Sequence, residues 1–292
     1  MNNNPNNVIM QSDPTHAEGG ENNARYSYYC KTMQGGRSEN QDACGAGFDA
    51  QGNLVATVCD GMGGAAGGAT ASALSVVNIL NYLKEDRPFE TGVERVVSAA
   101  RQANAEVYRH SVADVTLRGM GSTTTIAWFT AQDASVAHVG DSRIYQLRRG
   151  QKLFRTDDHS RVFEMVKAGI LKNEEAARVH PYSNIIMRAL GIRPEVEVEV
   201  HRLSYRKGDR FVLCCDGVWN SMPEPELLAI LTQEGTPQDI VTRLTARVDQ
   251  IGRDNGGQHD NLTAIVIDML ADSAYQPSLF ERIARLLTIK KK

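Results

Sequence analysis

The chain runs to 292 residues with a formal net charge of −3 and a sequence pI of about 6.2; 41% of it is hydrophobic and 23% charged. That is the make-up of an ordinary soluble globular protein, long enough for one large domain or two small ones. No apolar run approaches the ~20 residues that span a bilayer, and the mild acidity gives no support for general nucleic-acid binding.

Residues 1 to about 24 are rich in Asn, with Pro, Gly and Glu and almost no apolar periodicity, and read as a disordered leader. Met1-Asn2-Asn3-Asn4-Pro5 has neither the basic start nor the apolar core of a signal peptide, so the expected compartment is the reducing cytoplasm. The five cysteines form no CxxC pair, and their odd number suggests neither a disulfide framework nor a zinc site. Residues 25 to 270 read as one domain. Strands are expected at 54–59, 123–129, 135–139, 144–147, 196–203, 210–215 and 262–268, where β-branched and apolar residues cluster. Two long helices fall between the first two strands, one with Ala69, Ala73, Val76, Leu80 and Leu83, the other with Val93, Val97, Ala100 and Val107 at helical spacing. A later helix has Thr236 as N-cap, Pro237 in its first turn and Gly252 as its stop. Ser221-Met222-Pro223-Glu224 fits a capping box before Leu227. The link Gly140-Asp141-Ser142-Arg143 is too short for a helical crossover, which predicts that the strands on either side of it pair antiparallel. Strands and helices come in blocks, favouring an α+β fold with antiparallel sheets.

Residues 157–191 break this rhythm with short helical pieces and read as an insertion lying over a site; substrate selection and an ordinary structural excursion are both open to such a segment. After residue 270 a basic amphipathic tail follows. Over 278–292, Arg282, Arg285 and Lys290, Lys291 and Lys292 against Glu281 give +4. A terminal helix docked on its own domain is preferred here over contact with an anionic membrane.

Four aspartates stand at the ends of apolar runs: Asp60 after Leu54–Cys59, Asp141 after Ala137–Gly140, Asp216 after Arg210–Cys215, and Asp260 before Leu262. A carboxylate at the end of a buried strand is costly unless a positive group meets it. If the four converge, a hard cation is the natural partner, and all-oxygen ligation points to Mg²⁺ or Mn²⁺ over zinc. Asp60-Gly61-Met62-Gly63-Gly64 adds glycines that let a main-chain carbonyl approach the same ion. Arg37, in Gly35-Gly36-Arg37-Ser38-Glu39-Asn40-Gln41-Asp42, offers a planar fork suited to two phosphate oxygens, and Asp42 adds a further acid.

The ordered series Arg37…Asn40-Gln41-Asp42, Asp60-Gly61-Met62-Gly63-Gly64, Gly119–Thr124, Val139-Gly140-Asp141-Ser142-Arg143, Asp158-His159-Ser160, Cys215-Asp216-Gly217 and Asp260-Asn261-Leu262-Thr263 resembles the metal-dependent protein phosphatases of the type 2C class, in their bacterial form. The resemblance implies a four-layer α-β-β-α sandwich with two antiparallel sheets and a flap at 157–191. It implies that Asp60 bridges two Mn²⁺ or Mg²⁺ ions, that the Gly61 carbonyl binds the second, and that Asp216 and Asp260 complete the first. Asp42 would stand at the edge, Asp141 with Asp216 would hold a third, weaker ion, and Arg37 would take the phosphate. The implied reaction is hydrolysis of phosphoserine and phosphothreonine by a water or hydroxide bridging two metals, opposing a bacterial protein kinase. The implied partners are phosphorylated proteins, a serine/threonine kinase among them; nucleic acid is not one, and a monomer is the default. Two positions depart from the family: Met62 stands where many relatives have a proton-donating His, and Gln41 where Glu is common. Protonation of the leaving oxygen would then fall to a metal-bound water or to His159. A non-catalytic phosphoprotein-binding module and a two-metal nuclease are the competing readings; the intact acids and Arg37 speak against the first, the charge balance against the second.

Overall fold

The computed structural model describes residues 16–64, 67–87 and 90–275. In chain order its strands are β1 (His16–Asn22), β2 (Tyr26–Met33), β3 (Asp42–Phe48), β4 (Leu54–Met62), β5 (Gly121–Ser122), β6 (Thr124–Phe129), β7 (Ala134–Val139), β8 (Arg143–Arg148), β9 (Gln151–Arg155), β10 (Glu199–Leu203), β11 (Arg210–Cys214) and β12 (Leu262–Met269). The helices are α1 (Gly67–Lys84), α2 (Gly92–Ala113), α3 (Arg161–Lys167), α4 (Glu174–Arg178), α5 (Asp216–Trp219), α6 (Glu224–Leu231) and α7 (Pro237–Asp254). One sheet has the order β1-β2-β12-β11-β8-β9, the other β10-β7-β6-β4-β3 with β5 paired to the end of β4. All pairs are antiparallel.

Alternation along the strands decides how the layers stack. Ala56, Val58, Ala127, Phe129, Ala134 and Val136 face the first sheet, where Tyr26, Tyr28, Phe211, Leu213 and Ile265 meet them. Their neighbours Val55, Ile126, Ala137 and Val139 point the other way, onto Val76, Ile79, Leu80 and Leu83 of α1 and Val96, Ala99, Ala100 and Ala103 of α2. On the outer face of the first sheet lie Ile240, Leu244 and Val248 of α7 and Leu227 and Leu231 of α6. The result is the expected α-β-β-α sandwich. Each fully buried Val, Leu, Ile or Phe contributes about 1.5–3 kcal/mol to it.

Thr236 caps α7 as expected: its hydroxyl accepts from Asp239 N–H, and Asp239 reaches back to Thr236 N–H. The five cysteines are free and buried. No helix among the described residues is long and apolar enough to cross a membrane.

Several expectations need correction. Strands β7 and β8 do not pair; they lie in different sheets. Gly140, at φ +103°, turns the chain across the sandwich, and a side chain there would strike Thr123. The leader does not extend to 24, because His16–Asn22 pairs along its whole length with β2; a polar sequence suffices for an edge strand exposed to water. Ser221 does not cap α6, which starts at Glu224 with Pro223 as a cap lacking a side-chain bond; the Ser221 hydroxyl donates to Gly217 O instead. The tail after Pro277 lies outside the described residues.

Candidate active site

The antiparallel registers bring the acids to one end of the sandwich. Asp42 and Asp60 are direct cross-strand partners in one sheet. In the other, Arg143, Cys214 and Ala264 share a level, so Asp141, Asp216 and Asp260 lie just beyond the ends of β8, β11 and β12 on that same side. Each acid is fixed by a local device. Thr263 Oγ1 donates to Asp42 Oδ2 at 2.6 Å. Asp60 is held through its main chain, accepting Thr123 N–H at 2.8 Å and donating to Thr123 Oγ1 at 3.0 Å. Asp216 opens the short α5 and its carbonyl accepts Asn220 N–H at 2.8 Å. Trp219 Nε1 donates to Asp141 O at 2.9 Å. Asp260 Oδ1 accepts Asn261 N–H at 2.9 Å, and its Oδ2 accepts Arg37 Nη2 at 2.7 Å.

The electrostatics follow from crowding. Burial pushes the carboxyls of Asp42, Asp60, Asp141 and Asp216 above the ordinary range, and neighbouring carboxylates push them further. Asp60 lies at the middle, feeling Asp42, Asp216, Asp141 and Asp260. Asp141 Oδ1 is buried and has no hydrogen-bond partner. Gly61 permits no side chain: a Cβ would lie 2.0 Å from Gly68 O and 2.6 Å from Gln41 O. An orphaned carboxylate oxygen, an acid cluster of one sign and a glycine cradle fit hard divalent cations, for which oxygen donors are the matching set.

Arg37 stands at the rim with 57% of its side chain exposed, bound to Asp260 yet open to solvent. Its loop is tied down by Asn261, whose Nδ2 donates to Gln34 O and Glu39 O at 2.7 and 2.9 Å while its Oδ1 accepts Gln41 N–H at 2.9 Å. Asn261 and Thr263 were visible in the sequence as neighbours of Asp260, but their tasks depend on a loop more than 200 residues away. Arg143 was also missed as a functional position. It is buried, makes a two-pronged pair with Asp158 at 2.8 and 2.7 Å, and lies 3.5 Å above the Trp219 ring. It thus braces the tryptophan that holds Asp141.

Met62 is half-buried at the end of β4, opposite Gly121. His159, the alternative acid, has its ring engaged with other residues. Its ring stacks on His138 with centroids 4.4 Å apart, and its nitrogens meet Gly140 N–H on one side and Glu199 and Arg188 on the other. The ligand-capable atoms of His138, His159 and Glu199 lie within 4.8 Å of one another. With Nδ1 of His159 already accepting from Gly140, its Nε2 must keep the proton that metal ligation would remove. His259 is engaged with Asp249 Oδ1 at 3.0 Å and packs under the Gly35–Gly36 turn.

Fold and site together define a metal-dependent hydrolase of phosphoryl groups. The sequence pattern of the protein phosphatase 2C family matches residues 34–250, and the chain belongs to that family. It is 30% identical over 238 residues to the serine/threonine phosphatase Stp of Listeria monocytogenes, covering 80% of this chain and 91% of that protein. It is 34% identical over 234 residues to the serine/threonine protein phosphatase PstP of Mycobacterium tuberculosis, covering 80% of this chain and 43% of the longer relative. The crystal structure of the Mycobacterium tuberculosis phosphatase PstP/Ppp superposes with a TM-score of 0.74 at 31% identity, over 84% of this chain and 98% of that one. A structure of the PstP catalytic domain in complex with two manganese ions superposes at 0.71 and 29% identity, over 84% and 98% of the two chains.

Proposed function

We propose that this protein removes phosphate from phosphoserine and phosphothreonine in proteins, opposing a bacterial serine/threonine kinase, and that Asp60, Asp216, Asp260, Asp42, Asp141 and the Gly61 carbonyl hold its metals. The convergence of five carboxylates from two sheets beneath one half-free arginine carries this reading. Asp60 has the central place a bridging ligand needs, Asp216 and Asp260 adjoin it, and Asp42 stands behind it on Thr263. Asp141 with Asp216 suits a third ion. When bound, two Mn²⁺ or Mg²⁺ ions supply an activated water and neutralise phosphoryl charge.

The chain's own residues do the rest. Arg37 is already posed at the rim in a contact with Asp260 that a substrate phosphate can replace, two N–H groups onto two oxygens. There it offsets charge on the phosphoryl oxygens in the transition state. Met62 has no proton to give, and the His159 ring is turned toward Gly140 and Glu199, so neither protonates the leaving oxygen. Five free, buried cysteines accord with work in the reducing cytoplasm.

The test is hydrolysis of a phosphothreonine peptide with Mn²⁺, with a chelator, and with Asp60→Asn. Turnover should require the metal and fall at least about 10³-fold in the variant, the scale of losing a principal electrostatic contributor. A folded Asp60→Asn enzyme with near-normal turnover refutes the assignment. Hydrolysis of nucleic acid in place of phosphopeptide would transfer the site to another class.

A further inference from the structure

His159 lies at the root of the flap, beside the acidic centre and not in it, and its polar atoms are all engaged. Its Nδ1 accepts Gly140 N–H at 3.2 Å, and its own backbone N–H donates back to Gly140 O at 2.9 Å. Its carbonyl accepts Met187 N–H at 2.7 Å, closing the other end of the flap onto the same residue. Its Nε2 lies 3.3 Å from Glu199 Oε2 and 3.1 Å from Arg188 Nη1. A neutral imidazole carries one proton, and a peptide N–H can only donate. Nδ1 is therefore the bare nitrogen, and the proton on Nε2 goes to Glu199. Arg188 is itself a donor and cannot accept that proton; its Nη2 donates to Glu197 at 2.9 Å. Glu199 is a committed carboxylate: burial opposes its charge, but hydrogen bonds from His159 and His201 hold it well below the ordinary range.

The residue clamped in this way immediately precedes Asp141. Gly140 sits at φ +103° with Thr123 against its α-carbon, so its peptide cannot be adjusted by a side chain of its own. The ring Nδ1 fixes the Val139–Gly140 peptide and the His159 backbone N–H fixes Gly140 O in the peptide that enters Asp141, so His159 holds both sides of the residue from which Asp141 departs; Asp141 Oδ1 is the buried oxygen without a protein partner. We propose that Glu199 and His159 form a positioning pair that fixes the Gly140 peptide and thereby aims Asp141 at the metal centre, making the flap root a determinant of affinity for the ion Asp141 helps to hold. The pair touches neither substrate nor metal. The proposal rests on the reading of Asp141 as a metal-binding residue.

Two substitutions at one position separate the ring's contacts. His159→Asn puts a carbonyl oxygen where Nδ1 stands and keeps an acceptor for Gly140 N–H. His159→Gln reaches Glu199 but leaves Gly140 without its acceptor. Mn²⁺ binding is followed by calorimetric titration of the full chain, with thermal unfolding as the check on folding. His159→Gln should weaken the weakest class of Mn²⁺ sites by roughly tenfold or more, as changes behind a metal ligand do, while His159→Asn stays within about threefold of the parent. Parent-like binding by His159→Gln, or equal losses in both variants, overturns the proposal. Should His159→Gln fail to fold, Glu199→Ala removes the carboxylate shared by His159 and His201, and His201→Ala controls for the second contact: a loss of about threefold or more in Glu199→Ala that His201→Ala does not share supports the pair, and an unchanged isotherm or an equal loss in both overturns it. Asp141→Asn separates the two layers of inference. If it leaves Mn²⁺ binding unchanged, the placement of Asp141 itself falls; if it abolishes the weak site while the His159 and Glu199 variants do not affect it, the positioning pair alone falls.

Discussion

His138 illustrates what a single buried nitrogen does. Its Nε2 donates to Asp157 O at 2.7 Å, whereas Nδ1 has no partner. Burial, with the neighbouring His159 ring adding to it, depresses the His138 pKa from 6.5 to about 4, against the opposing pull of Glu199 and the Asp157 carbonyl; His201 also faces the group. A folded pKa below the unfolded value means that the folded state binds fewer protons. The stability from keeping this ring neutral is complete above pH 6.5 and is lost as pH falls toward 4, by about 3 kcal/mol in all. His138→Gln, which keeps a donor for Asp157 O, should flatten the fall in unfolding free energy between pH 6.5 and 4.5. Glu199, shifted downward from its ordinary value, enters only below that window. Identical slopes for parent and variant would refute the assignment. At this scale much of the site was legible, because an acid next to a buried apolar run is costly without a cation, and that cost shows in the sequence. The roles of His159 and Asn261 were not legible, since each is defined by partners brought close only by the fold.

The flap is attached through charges. Glu174, at the first turn of α4, takes Arg155 through two bonds of 2.6 and 2.8 Å and lies 3.5 Å from Arg143. The Arg155 side chain is almost fully buried, so removing its partner leaves it with Glu224 alone, at 3.3 Å. Because Glu174 is partly exposed, water softens the loss, and Glu174→Gln should ease flap opening by about 1–2 kcal/mol, below the 3–5 typical of fully buried pairs. Hydrogen exchange should quicken across α3 and α4 and remain unchanged in β11 and β12; unaltered flap exchange would show that other contacts hold it. Legibility at this scale was uneven. Helices with a capping signal or apolar periodicity, such as α1, α2 and α7, were readable. Strand β3, Asp42-Ala43-Cys44-Gly45-Ala46-Gly47-Phe48, was not, because its small residues lack β propensity and are buried by the layers on both sides. The β7–β8 link, three residues long in the structure, misled because so short a connection is ordinarily a hairpin. Here Gly140 lets it step between sheets, and that step carries Asp141 to the sandwich end.

On the proposed assignment, the molecule as a whole trades stability for a metal centre. Five acids of one sign are held together by Thr263, Thr123, Trp219, Asn261 and the β ladders, while among the described residues Arg37 is the cation bound directly to one of them. Without metal, mutual repulsion and burial work against the fold; on the assignment proposed above, the same carboxylates become ligands when metal binds, and binding energy adds to folding energy. At a free Mn²⁺ concentration about 100 times the dissociation constant, linkage supplies about 2.7 kcal/mol. For a chain of this size that corresponds to a rise in Tm of about 4–5 °C. Asp60→Asn removes one charge from the middle of the cluster and should move the two states in opposite directions: the metal-free variant melts above the metal-free parent, while its response to Mn²⁺ shrinks. Thermal unfolding of both proteins, with and without Mn²⁺, reads both effects in one experiment. If the parent gains nothing from Mn²⁺ and Asp60→Asn is no more stable without it, the acids are not under the electrostatic load that their placement implies, and the reading of the sandwich end as a metal centre loses its physical basis.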